Sequence, residues 1–212
     1  METTENTNTL ICNNMVSIKG EIASEGVFNH DIFGEKFYAY ELLVCRESNT
    51  ADLIPLIVSE RLCDISKLVP GTPISLTGQF RSYNKHNSDN KNKLILSVFA
   101  RELSFEDNVN VEHNNSICLN GYICKQPVYR KTPLGREIAD ILLAVNRPYG
   151  KSDYIPCIAW GRNARFAESL QVGDNIVVNG RIQSRNYNKK INENETEQRV
   201  AYEVSVSKIS LE

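Results

Sequence analysis

The chain has 212 residues, of which 41% are hydrophobic and 24% charged, an ordinary balance for one globular domain or two small ones. No stretch approaches the ~20 apolar residues a membrane helix needs, and the opening METTENTNTL lacks the basic and apolar regions of a secretory leader. The net charge of −2 hides an asymmetry: residues 1–113 carry 10 Lys+Arg against 16 Asp+Glu, and residues 114–212 carry 14 against 10. A polyanionic partner is therefore expected on the second half.

Residues 1–13 read as a disordered lead-in. Beyond them the chain repeats itself. A shift of 101 positions lays Gly20 on Gly121, Gly34 on Gly135, Arg46 on Arg147, Pro55 on Pro156 and Arg61 on Arg162. IKGEI then faces LNGYI, and LIPLIVSER faces YIPCIAWGR. One inserted residue aligns LVPGTPISLTGQF with LQVGDNIVVNGRI, and a few more align LILSVFARELS with VAYEVSVSKIS.

Each copy opens with an alternating strand, near 15–25 and 116–126. A Gly-containing loop leads to a second strand ending near 45 and 146, and a third strand covers 52–58 and 154–160. A short helical segment follows, SERLCDISKL or GRNARFAESL, with apolar residues three and four apart and a Gly just beyond. A fourth strand, a polar loop and a fifth strand complete the copy. This order predicts an all-β protein of two tandem OB-folds, five-stranded Greek-key barrels with a helix between strands 3 and 4. Another small β-barrel or half-sandwich is the competing architecture. The expected divisions are a first, acidic barrel over 14–105, a linker over 106–115 and a second, basic barrel over 116–212.

Six cysteines, Cys12, Cys45, Cys63, Cys118, Cys124 and Cys157, form no C-x-x-C pair, and the three histidines lie far from them in sequence. No zinc site or other cofactor is expected, and a reduced, cytoplasmic protein is the simplest reading.

The single Trp stands in YIPCIAWGRNARF, where a strand gives way to cations. Alternation puts Tyr154, Pro156, Ile158 and Trp160 on one face, and the small apolar Ile155, Cys157 and Ala159 on the other. The second set should face the barrel interior, leaving the aromatic set outward on the wall where OB-folds bind oligonucleotides. An exposed ring there can stack an unpaired base of any identity. Around it the loops supply Lys125, Arg130, Lys131 and Arg136, then Arg147, Tyr149 and Lys151, then Arg162, then Arg185, Tyr187, Lys189 and Lys190. From 125 to 190 there are 12 Lys+Arg against 5 acids, the interleaving of cations and rings that a single-stranded groove requires. Copy one has Ser59 at the Trp160 position and Leu53 at the Tyr154 position. It keeps Arg81 and Tyr83, so it reads as a weaker second site or a barrel retained for pairing.

The segment from NGYICKQPVYRKTPLG through LAVNR and WGR to VGDNIVVNGRIQSR resembles the bacterial single-stranded DNA-binding proteins. The whole chain also looks like their two-barrel clostridial members. The resemblance implies sequence-tolerant binding of single-stranded DNA by four barrels, hence a homodimer here. It places stacking residues at Tyr154, Trp160 and Tyr187 and a basic residue at Arg185. That family commonly ends in a long tail with an acidic tip that recruits replication enzymes. This chain stops at SVSKISLE, so recruitment by that route is not expected.

The function expected is binding and protection of single-stranded DNA in replication, recombination or repair. The alternatives are a primosome-type or plasmid or phage adaptor that binds protein first, and an RNA-binding OB module. An enzyme is not expected. The second copy has no His, its Asp140, Asp153 and Asp174 fall on different elements, and TPLG lacks the pattern of a phosphate-cradling loop.

Overall fold

The computed structural model describes residues 13–48, 50–86, 92–108, 115–190 and 196–212. The first copy comprises β1 (Asn14–Ile22), β2 (Val27–Ile32), β3 (Glu35–Cys45), β4 (Ala51–Ser59), β5 (Pro73–His86) and β6 (Asn92–Phe105). The second comprises β7 (Asn115–Lys131), β8 (Glu137–Arg147), β9 (Lys151–Trp160), helix α1 (Arg162–Glu168), β10 (Asn175–Lys190) and β11 (Thr196–Leu211). Residues 1–12 of the expected lead-in and 109–114 of the expected linker lie outside the described residues. The neighbouring Glu106 is ordered by the Ser75 hydroxyl at 2.5 Å and by Lys19 at 3.7 Å.

Apolar alternation makes the strands. In β1, Val16, Ile18 and Ile22 point into the core while Met15, Ser17 and Glu21 point out. Each copy then closes on itself. β1 pairs antiparallel with β3 and β5, β3 with β4, and β5 with β6. The ring shuts through a parallel contact of Leu56 and Ile57 with Val98 and Phe99. The same circuit runs from β7 through β8, β9, β11 and β10 back to β7. Its parallel closure sets Cys157 and Ile158 beside Val204 and Ser205. This strand order is that of an OB barrel, and closure leaves few free edges. β2 is the exception, since among the described residues it pairs only with β3.

The segment between strands 3 and 4 differs between copies. The second copy forms α1, which buries Ala164 and Ala167, whereas the first forms only a 3₁₀ turn at Ile65–Lys67. The Asp64 carboxylate accepts from the Ser66 amide at 3.1 Å and the Ser66 hydroxyl at 2.7 Å. Such local side-chain bonds compete with helix propagation, and Pro70 follows closely.

The two barrels share one continuous eleven-stranded sheet. β1 lies antiparallel to β7 with Val16 opposite Ile117, its own counterpart in the repeat. A local two-fold axis therefore passes between these residues and exchanges the barrels. Matched devices recur on both sides of it. The Asn14 amide bonds both backbone groups of Phe80, and the Asn115 amide does the same for Ile182. Gly121 is one position where only glycine fits: a Cβ there would meet the Ala144 carbonyl oxygen at 2.6 Å, and its counterpart Gly20 faces the Leu43 carbonyl in the same way.

Candidate nucleic-acid interface

β9 carries the centre of the surface. Ile155, Cys157 and Ala159 are buried in the second barrel, and Trp160 and Tyr154 stand on the opposite face with 39% and 42% of their surface exposed. The Trp160 ring is held at the strand's end because Gly161, at φ 52°, turns the chain into α1 while its N–H donates to the Glu137 carbonyl at 2.9 Å. Tyr149 is fully exposed on the β8–β9 turn and adopts φ 64°, a conformation unusual for a large residue. Tyr187 is also exposed, on the far end of β10. Ile158 shares the outward face of Trp160, yet it is buried there. It forms the apolar floor of a trough of about 280 Å³ lined by Trp160, Arg181 and Arg185, with Arg46 reaching in from the first barrel.

The cations divide into free and engaged. Lys125, Lys131, Arg136, Lys151 and Arg162 are exposed and, among the described residues, carry no ion pair. Arg130 pairs with Asp140 at 2.8 Å. Arg185 pairs with the buried Glu203 at 3.4 Å, and its guanidinium lies 6.0 Å from the Tyr187 ring centre. Arg147 is built into the junction between barrels: it lies 2.9 Å from the buried Asp153 and donates to the Ser82 carbonyl at 3.1 Å. Its guanidinium is therefore half-buried and engaged at the junction, rather than free on the phosphate rim that its loop position implied.

The first barrel's equivalent wall is built differently. Ser59, at the Trp160 position, is buried and its hydroxyl donates to Glu35. Phe99 fills the adjoining space against Phe37, and the Arg81 guanidinium covers Phe99 at 4.3 Å from the ring centre. Burial, with Arg147 and Arg101 close by, holds the Arg81 pKa below its ordinary value. Tyr83 and Leu53 are exposed.

Sequence reasoning missed two features. Arg181 alternates with the buried Ile182 on β10 and reaches the Trp160 trough, which the strand alternation alone could have revealed. Asp52 and Asp153 are buried carboxylates aligned in the repeat beside Arg46 and Arg147, and each bonds a serine of the other barrel. The aligned Arg and Asp were visible in the repeat, but their serine partners lie 132 and 71 residues away.

Strand order, ring closure and the position of α1 define an OB-fold protein. Residues 114–211, the second barrel, match the model of the Single-strand binding protein family. Single-stranded DNA-binding protein A of Bacillus subtilis is 39% identical over 93 residues, 41% of this chain and 51% of that protein. Single-stranded DNA-binding protein 3 of Listeria innocua is 39% identical over 80 residues, 34% of this chain and 50% of that protein. The chain thus spans about half the length of these relatives, neither of which is named as an enzyme. The crystal structure of the wild-type single-stranded DNA binding protein from Thermus aquaticus superposes with a TM-score of 0.70, covering 94% of this chain and 92% of that one. At 19% identity this likeness concerns the fold, and it extends over both barrels.

Proposed function

We propose that the protein binds single-stranded DNA without sequence preference and protects it during replication, recombination or repair in the cytoplasm. The carrying observation is the exposure of Trp160 and Tyr154 on one wall of the second barrel, which also bears cations that carry no ion pair among the described residues. Rings supply stacking worth ~1–3 kcal/mol per base, and Lys131, Arg136, Lys151 and Arg162 supply phosphate contacts. Tyr149 and Tyr187 extend the stacking surface, and Arg130 and Arg185 join it by exchanging their carboxylate partners for phosphate. Arg147 supports the site from beneath.

The barrels over 14–105 and 116–212 act as a weak and a strong module respectively, with Arg81 and Tyr83 forming the weaker surface of the first. Two chains pair to bring four barrels to one strand. Because Trp160 is the only Trp, its fluorescence reports directly on the site. Saturating oligo-dT at low salt should quench it strongly. Unchanged emission would remove the stacking role.

A further inference from the structure

Two hairpins of similar build and opposite charge project from the molecule. β2 and β3 turn at Phe33 and Gly34, and β7 and β8 turn at their repeat counterparts Leu134 and Gly135. Each apex presents a bulky apolar residue to solvent, Phe33 at 100% exposure and Leu134 at 85%. Phe33 does so at φ 51°, a conformation disfavoured for a non-glycine residue. Val27, Phe28 and Ile32 extend the first apolar patch along β2, and Val128 extends the second along β7. Exposed apolar groups gathered in this way mark contact surfaces.

The charges around the two tips are complementary. Residues 24–41 hold Glu25, Asp31, Glu35 and Glu41 against Lys36, whereas the matching residues 125–142 hold Lys125, Arg130, Lys131 and Arg136 against Glu137 and Asp140. Among the described residues, Glu25, Asp31 and Glu41 carry no ion pair, and neither do Lys125, Lys131 and Arg136.

We infer that the two hairpins are partner surfaces, and that the acidic hairpin of one chain docks on the basic hairpin of a second copy. The local two-fold axis at Val16 and Ile117 relates the two hairpins, placing one on each barrel. No hydrogen bond or ion pair joins them within the chain among the described residues. The contact is therefore head to tail, and a heterologous contact of this kind propagates into chains of molecules. A bulge at Asn29 interrupts the outer strand, which blunts simple strand addition and leaves docking to side chains. The surface is small, so association is weak, salt-sensitive and steep in concentration. On a common DNA strand, and here the inference rests on the proposed function, the raised local concentration turns it into cooperative filling.

The test is sedimentation of the full chain without DNA. One variant carries Glu25→Lys and Asp31→Lys, making both hairpins basic; a second carries Lys131→Glu and Arg136→Glu, weakening or reversing the basic one. At about 0.1 M salt and high concentration the natural chain should at least roughly double its weight-average mass over the value at about 1 M salt, where charges are screened beyond ~3 Å. Each variant alone should stay at the high-salt mass, and an equimolar mixture of the two should regain the larger one. Absence of salt-dependent growth in the natural chain, growth in the first variant alone, or a mixture that stays small overturns the proposal. Trp160 quenching by oligo-dT, followed separately, distinguishes failure of this contact from failure of the DNA-binding reading.

Discussion

Asp153 of the second barrel accepts the backbone N–H of Ser82 in the first at 2.5 Å, and the Ser82 hydroxyl accepts the Tyr154 N–H at 2.8 Å. The axis between the barrels repeats the device in reverse: Asp52 accepts the Ser184 N–H at 2.7 Å and its hydroxyl at 2.8 Å. The two staples are not equal. Arg46 grips Asp52 with two in-line bonds of 2.6 Å. Arg147 approaches Asp153 at 2.9 Å out of line, so that the Arg147 Nε and Asp153 Oδ2 atoms make no hydrogen bond. Burial pushes both carboxyls up. The Arg46 and Ser184 bonds reverse this for Asp52, whose pKa lies below the usual aspartate value, whereas burial prevails for Asp153, whose pKa lies above it.

This difference has opposite consequences for pH. Asp52 contributes stability above the ordinary aspartate range and loses it as pH falls through its lowered folded pKa. Asp153 contributes fully below that range and loses its contribution as pH rises through its raised folded pKa. At neutral pH Asp52→Ala, which leaves the partly exposed Arg46 guanidinium and the Ser184 N–H without their acceptor, should cost about 1–3 kcal/mol. Asp153→Asn should cost far less, because its amide oxygen can still accept from Ser82. Urea unfolding of both variants across the acid range checks the size and sign of each effect.

Trp160→Ala and Tyr154→Ala should each weaken oligo-dT binding by ~1–3 kcal/mol, roughly 5- to 150-fold, and leave the melting temperature nearly unchanged because both rings are exposed. Binding measured with an end-labelled oligonucleotide, alongside thermal melts, separates the two quantities. A large fall in melting temperature with unchanged affinity would make these residues structural.

Free and engaged cations should part company in salt titrations. Lys131→Gln and Lys151→Gln should each reduce the slope of log affinity against log salt by about 0.7, one phosphate contact on a single strand. Arg147→Gln should leave the slope nearly intact and lower stability, because its guanidinium holds the barrel junction.

Gly121→Ala should destabilise the fold by ~1–3 kcal/mol, since the added methyl meets the Ala144 carbonyl on the adjacent strand. Denaturant melts measure the loss, and oligo-dT affinity at low denaturant should stay near that of the natural chain.

Local pattern was enough to determine a great deal of this protein. Period-two alternation sorted Ile155, Cys157 and Ala159 from Tyr154 and Trp160, because successive side chains on a strand must face opposite ways. The 101-residue repeat and its matched glycines announced two like barrels, since identical crowding at strand crossings demands the same residue twice. Three-dimensional packing decided the rest. Arg147 looked like a loop cation, but chain closure carried Asp153 and Ser82 to it. Ile158 looked outward and was covered by its neighbours. Whether a polar side chain meets water or a distant partner depends on contacts between remote segments, and local spacing carries no record of those.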